Sequence, residues 1–255
     1  MNQLNVNLPE LPYAVSEAMN RLRINIKFCG KNTRKILLTS CQPNEGKSTI
    51  SSYLWKMLAE AGFPTVLVDV DLRKSVMKTR FQMDYDDDTT MGLNHYLSGM
   101  AEYEDVVYST NIPNGYMVPC TQLLENPSAL LADVRFNELL NTLSENYRFV
   151  IIDSPPLGSI ADGALIASLC DGAVLVVRAG TTPRTLIKQS LYEIQQSGCK
   201  LLGTVLNRAD VKGRAYGKYG YGKYGYGYGY GYGYEPKDKK NSSDSAATDK
   251  NSTGK

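Results

Sequence analysis

Three short stretches carry the residue types that phosphate chemistry needs. The first is Thr39-Ser40-Cys41-Gln42-Pro43-Asn44-Glu45-Gly46-Lys47-Ser48-Thr49, placed after an apolar strand-like run and before a helical one. In such a loop successive backbone N–H groups converge on phosphate oxygens, and the following helix adds the positive end of its dipole. Asn44, Glu45, Gly46, Lys47, Ser48 and Thr49 form the phosphate-facing part. Gly46 lets the backbone approach closely, Lys47 neutralises β- and γ-phosphate charge, and the Ser48 hydroxyl suits Mg²⁺. Cys41 stands where the usual pattern has its first glycine. The expected ligand is a nucleoside triphosphate, ATP foremost.

The second stretch is Val66-Leu67-Val68-Asp69-Val70-Asp71-Leu72-Arg73, and the third is Phe149-Val150-Ile151-Ile152-Asp153-Ser154-Pro155-Pro156. Both end an apolar strand in aspartate, at the carboxyl edge where open α/β sheets place ligands. Beside a phosphate loop, Asp69 and Asp71 can bind magnesium or accept a proton from a nucleophile. Asp153 fits the Walker B position, where it would hold Mg²⁺. Taken alone, these aspartates read equally well as loop caps; the three stretches together favour catalysis. Pro155 and Pro156 block helix continuation and keep that edge open.

A fourth feature supplies an acceptor. Tyr216, Tyr219, Tyr221, Tyr224, Tyr226, Tyr228, Tyr230, Tyr232 and Tyr234 alternate mostly with glycine in a stretch whose only other residues are two lysines. Glycine spacing gives a flexible chain with accessible hydroxyls. Phosphorylation of all nine would add about −14 to −18 charges. Without a nucleotide site elsewhere, the plain reading is a Gly/Tyr low-complexity segment. Gly220-Tyr221-Gly222-Lys223-Tyr224-Gly225 mimics a dinucleotide-binding pattern, but no strand precedes it and no helix follows.

The elements that must position these residues are legible as apolar runs. Lys35–Thr39, Thr65–Val68, Arg148–Ile152, Ala173–Val177 and Leu201–Leu206 do not alternate apolar with polar, as strands buried on both faces do not. Helical patterns span Ser48–Ala61, Pro127–Glu145 and Pro183–Ser197. The alternation predicts an α/β fold, a doubly wound and mostly parallel sheet of the P-loop NTPase kind. An amphipathic helix over Tyr13–Phe28 carries Val15, Met19, Leu22 and Ile26 on one stripe. Residues 89–121 are weakly patterned, with a short helix expected near Asn94–Leu97 and a strand near Tyr116–Val118. His95, the sole histidine, has no nucleophile beside it and reads as a polar structural residue; Trp55 reads as packing. Residues 1–210 are expected to form one domain, and 211–255 a disordered tail unable to bury enough apolar surface to fold.

Composition narrows the function classes. The net charge of +2 over 255 residues draws the chain neither to nucleic acid nor to anionic lipid. No apolar run reaches the roughly 18 residues of a membrane span, and the first residues lack the pattern of a secretory leader. The five cysteines have no metal-ligand spacing and fit reduced thiols in the cytoplasm. Oxidation of Cys41 would obstruct the phosphate loop, although a small residue fitting the turn is the simpler reading.

These motifs together resemble the bacterial tyrosine kinases, in the Gram-positive form where the kinase is separate from its membrane activator. The resemblance rests on Gly46-Lys47-Ser48-Thr49, Asp69-Val70-Asp71-Leu72-Arg73, Asp153-Ser154-Pro155-Pro156, Met91-Gly92-Leu93, Asn126-Pro127-Ser128 and the tyrosine cluster. It implies ATP- and Mg²⁺-dependent autophosphorylation of the tail, in trans within a ring-like homo-oligomer, and control of capsular or exopolysaccharide synthesis and export. It implies a membrane-embedded activator that recruits the cytoplasmic kinase to the inner face of the membrane, and an opposing tyrosine phosphatase. By resemblance Lys47 binds phosphate, and Ser48, Asp71 and Asp153 serve the metal. Asp69 and Asp71 support the attacking hydroxyl, with either one as the base, and Asn207 contacts adenine. The family's ring-assembly helix has Glu, then Arg, then Arg at three-residue steps. Here Glu17 and Arg23 match, while Asn20 takes the middle position with Arg21 beside it.

Two other classes share the fold. Partition and positioning ATPases carry a lysine early in the phosphate loop, where this chain has Gln42-Pro43-Asn44. A non-catalytic scaffold would use ATP only as a conformational ligand, and the intact carboxylates argue against it. Eukaryotic-type kinases are excluded by the absence of His-Arg-Asp and Asp-Phe-Gly.

Overall fold

The computed structural model describes residues 3–86, 89–159 and 162–209, all within one unit, Met1–Asp210. The tyrosines at 216–234 and the tail expected over 211–255 lie outside the described residues. In chain order the elements are β1 (Gln3–Leu4), α1 (Tyr13–Lys27), β2 (Lys35–Ser40), α2 (Lys47–Glu60), β3 (Thr65–Asp69) and α3 (Met77–Arg80). There follow α4 (Leu93–Leu97), α5 (Tyr103–Val106), β4 (Tyr108–Thr110), β5 (Gly115–Val118), α6 (Ser128–Leu131) and α7 (Val134–Asn146). The last are β6 (Phe149–Asp153), α8 (Asp162–Ser168), β7 (Gly172–Arg178), α9 (Arg184–Gln196) and β8 (Leu201–Asn207), with a 3₁₀ turn at Leu157–Ser159.

The strands form one sheet in the order β1-β4-β5-β3-β6-β2-β7-β8. Every pairing is parallel except β4 with β5. Four of the five apolar runs serve both faces, as their lack of alternation predicts. Leu37, Val66, Val150, Ile152, Ala173 and Leu175 pack into one core. Their neighbours Ile36, Leu38, Leu67, Ile151 and Val174 pack into the other, with Trp55, Leu54 and Leu58 of α2. Trp55 is fully buried and donates its Nε1–H to Thr65 O at 3.1 Å, confirming a packing role.

Four expectations need correction. The single helix over 127–145 is two helices, because the Asp133 side chain accepts from Arg135 N at 2.9 Å and caps a new start. Val15 is 45% exposed, so the apolar stripe of α1 is buried only at Met19 and Ile26, with Leu22 half-buried against the core. The weakly patterned region holds β4, which runs against its neighbour β5, in addition to the expected α4 and β5. β8, the last strand of the sheet among the described residues, is not buried on both faces, with Leu201 and Leu206 exposed, and it extends to Asn207, one residue past the apolar run. His95 is structural as expected: its Nδ1 accepts from Gly92 N at 3.1 Å at the start of α4. Among the described residues no helix is long and apolar enough to cross a membrane.

Candidate nucleotide site

The sheet order brings the three chemical stretches to one edge. β6 lies between β2 and β3, and its register sets Asp153 beside Leu38 on one side and Asp69 on the other. The phosphate loop therefore leaves β2 next to two carboxylates. Gly46 caps α2 with φ 99°, a left-handed conformation that glycine adopts without strain. Asn44 also has positive φ, 65°, which asparagine tolerates better than most residues.

Lys47 projects from the first turn of α2 into the carboxylates. Its Nζ lies 2.9 Å from Asp71 Oδ2, 3.9 Å from Asp153 Oδ2 and 3.4 Å from Ser48 Oγ. Burial pulls the Lys47 pKa down, but the charges of Asp153 and Asp71 outweigh that and the net direction is up, so the ammonium stays charged. Ser51, one turn further along α2, donates to Asp153 Oδ1 at 3.2 Å. Burial raises the Asp153 pKa against the lowering influence of Lys47 and Ser48.

The two aspartates of the second stretch divide by position. Asp71 lines the cleft with Lys47, Ser48, Pro155 and Pro156. Asp69 is 1% exposed, accepts from Ser75 Oγ, and receives Asp71 N at 3.3 Å. Burial, reinforced by the charge of Asp153, pushes Asp69 from 3.8 up to about 8. A carboxyl group raised in the fold binds its proton more tightly there than in the unfolded chain. Its stabilisation is complete below about 4 and drains away as pH rises toward about 8. Asp69→Asn is therefore expected to gain stability relative to wild type as pH climbs from 5 to 8. Paired melting curves across that range check it; a difference independent of pH contradicts it.

A cation fits this site through oxygen donors. Mg²⁺ is commonly held by one or two carboxylates together with substrate phosphates and water rather than by an all-protein cage. Ser48 and Asp71 offer a hydroxyl and a carboxylate at the cleft, and buried Asp153 lies 3.9 Å from Lys47 Nζ. Among the described residues no cluster of three His, Cys, Asp or Glu side chains forms a self-sufficient metal cage.

Several functional contacts escaped the sequence. Glu45 is buried; its carboxylate accepts from Gln42 N at 2.9 Å and from Thr182 Oγ1. It thus clamps the loop, and its backbone carbonyl receives Asn207 Nδ2 at 2.8 Å. Asn207 Oδ1 in turn accepts from Arg208 N at 2.9 Å. Asn207 lines a second cleft with Asn44, Gly46, Thr49, Arg80 and Arg208. Thr182 gave no signal because it stands on the connection after β7, far from Glu45 in sequence. Arg73 ties the Asp71 loop down: its Nε is 3.1 Å from buried Asp162 Oδ2, Nη1 donates to Glu125 O at 2.7 Å, and Nη2 to Ser128 Oγ at 3.0 Å. Cys41 is 1% exposed and burial raises its thiol pKa, so it is a small residue fitting the turn and no reactive thiolate.

The residues expected to serve assembly lie outside the lining of this cleft. Glu17 and Arg21 are exposed on α1, while half-buried Arg23 donates to Asn20 Oδ1 through Nε at 3.1 Å and Nη2 at 2.7 Å. Asn20 thus occupies Arg23 within the helix.

The phosphate loop, the flanking aspartates and the parallel sheet define a P-loop NTPase domain, and the AAA domain family matches residues 33–196. Tyrosine-protein kinase CpsD of Streptococcus agalactiae is 42% identical over 208 residues, 81% of this chain and 90% of its own. The crystal structure of the chimerical protein CapA2B2 superposes with TM-score 0.72 at 32% identity, over 80% of this chain and 92% of that one. The Pyrococcus horikoshii septum site-determining protein MinD, solved with Mg-ADP, superposes at TM-score 0.57 and 25% identity, over 68% of this chain and 70% of its own. The chain belongs to the bacterial tyrosine-protein kinases.

Proposed function

We propose that this protein transfers the γ-phosphate of MgATP to tyrosines of its own C-terminal cluster, in trans within a homo-oligomer, and so regulates capsular or exopolysaccharide synthesis and export. The observation that carries this reading is Lys47, paired with Asp71 at the cleft and with buried Asp153 beside it, at the start of the helix after the phosphate loop, in a chain that also carries nine clustered tyrosines.

In this reading the loop N–H groups and Lys47 hold the polyphosphate. Ser48, Asp71 and Asp153 would hold Mg²⁺, which would supply positive charge against the phosphates. Asp71 faces the cleft and is placed to orient an entering tyrosine hydroxyl. Asp69 is buried and accepts from the Asp71 backbone N–H, so it supports the attacking hydroxyl by positioning Asp71. Glu45, Thr182 and Asn207 keep the loop rigid, so little reorganisation is left for the reaction. The exposed face of α1, with Tyr13, Ile24 and Phe28 beside Glu17 and Arg21, supports oligomer assembly. A membrane-embedded activator on a separate polypeptide recruits the kinase, and a phosphatase resets it. Phosphorylation loads the tail with like charge and drives the oligomer apart.

The test replaces all nine cluster tyrosines by phenylalanine. Incorporation of label from [γ-³²P]ATP is expected to fall to background while nucleotide affinity is unchanged. Undiminished labelling would place the acceptor elsewhere.

A further inference from the structure

Arg80 is absent from the motifs, yet it stands at the junction of the two clefts. The first cleft holds Lys47, Asp71, Pro155 and Pro156, the end where the transferable phosphate belongs. The second holds Thr49, Asn207 and Arg208, the end where the base belongs. Asn44, Gly46 and Arg80 line both. Asn44 and Gly46 are the phosphate loop itself; Arg80 arrives from α3, a separate element. Its Nη1 donates to Thr49 Oγ1 at 3.1 Å, which anchors the guanidinium over the first turn of α2. Among the described residues it makes no ion pair with a carboxylate.

We infer that Arg80 is a nucleotide-binding residue that contacts the phosphate nearest the ribose. A polyphosphate running from one cleft to the other must pass the three residues they share. A guanidinium is suited to that position because its planar fork donates several hydrogen bonds to phosphate oxygens while one N–H stays on Thr49. Lys47 neutralises the transferable end and Arg80 the retained end. This rests on the kinase reading above, and deepens it by dividing the polyphosphate between two cations.

The test is isothermal titration of the full chain with MgADP and MgATP. Arg80→Ala is expected to weaken both by about the same factor, roughly tenfold, as loss of charge-assisted hydrogen bonds requires. Arg80→Lys should fall between Arg80→Ala and wild type. Because Arg80 is exposed, its melting temperature should hold; should Arg80→Ala fail to fold, Arg80→Gln carries the same expectation. MgADP affinity within twofold of wild type overturns the assignment. So does a loss confined to MgATP, which would move Arg80 to the transferable phosphate. Wild-type protein that binds neither nucleotide would defeat the kinase reading and this inference together.

Discussion

Lys47→Met is expected to reduce phosphoryl transfer by a factor on the order of 10²–10³, the usual cost of removing one preorganised charge from a transition state. Lys47 is 8% exposed and sits among three carboxylates, so no solvent ion can replace it cheaply. Methionine keeps the stem's volume and removes only the ammonium. Transfer of label from [γ-³²P]ATP measures the loss. The same substitution strips Asp71 of its 2.9 Å partner and leaves Asp69, Asp71 and Asp153 to repel one another. Destabilisation should therefore be greater at pH 8, where Asp69 ionises, than at pH 5. Near-normal transfer by Lys47→Met would show that the cleft is not where phosphate is held.

Gly46→Ala is expected to destabilise the fold by about 2–3 kcal/mol, from roughly 1–2 for a left-handed alanine and about 1 for a broken hydrogen bond. A Cβ built on Gly46 would lie 2.1 Å from Asn207 Nδ2. That atom cannot stay, yet it donates the 2.8 Å bond to Glu45 O that pins the loop to the end of β8. In a domain of this size the melting temperature should fall by about 4–12 °C, with nucleotide affinity falling alongside. The clash is shared between two residues, so Gly46→Ala with Asn207→Ala should cost less than the sum of the single changes. Additive costs would mean that the two residues do not meet.

The chemistry-bearing parts were legible because each rests on local pattern. Lys47 and Ser48 follow a buried strand and open a helix, and Asp69 and Asp153 end runs with apolar residues on both faces. The parallel core followed from the same runs. What stayed hidden depends on distant partners. Glu45 looks like one more loop residue, yet it is buried because Thr182 waits for it on another connection. Asn207 supports the loop backbone from β8, which no spacing announces. Arg80 meets Thr49 only because α3 folds back over α2. Strands β1 and β4 have two and three residues, too few for periodicity to register. The break in the 127–145 pattern came from a single cap at Asp133, inside a sequence whose apolar spacing runs on.

The division of labour among the aspartates was open in sequence, and geometry separates them. Asp71 reaches the cleft, Asp153 is held by Ser51 next to Lys47, and Asp69 is sealed beneath with Ser75. Burial raises the pKa of both sealed residues, Asp69 and Asp153, while Asp71, at the cleft, makes the closer ion pair with Lys47.

The most direct test is phosphosite mapping by mass spectrometry after incubation with MgATP and the cytoplasmic segment of the proposed activator. Wild type should carry phosphotyrosine within residues 216–234, and Lys47→Met should carry none. Wild type that hydrolyses ATP while those tyrosines remain unmodified would contradict a kinase and leave a P-loop ATPase in its place.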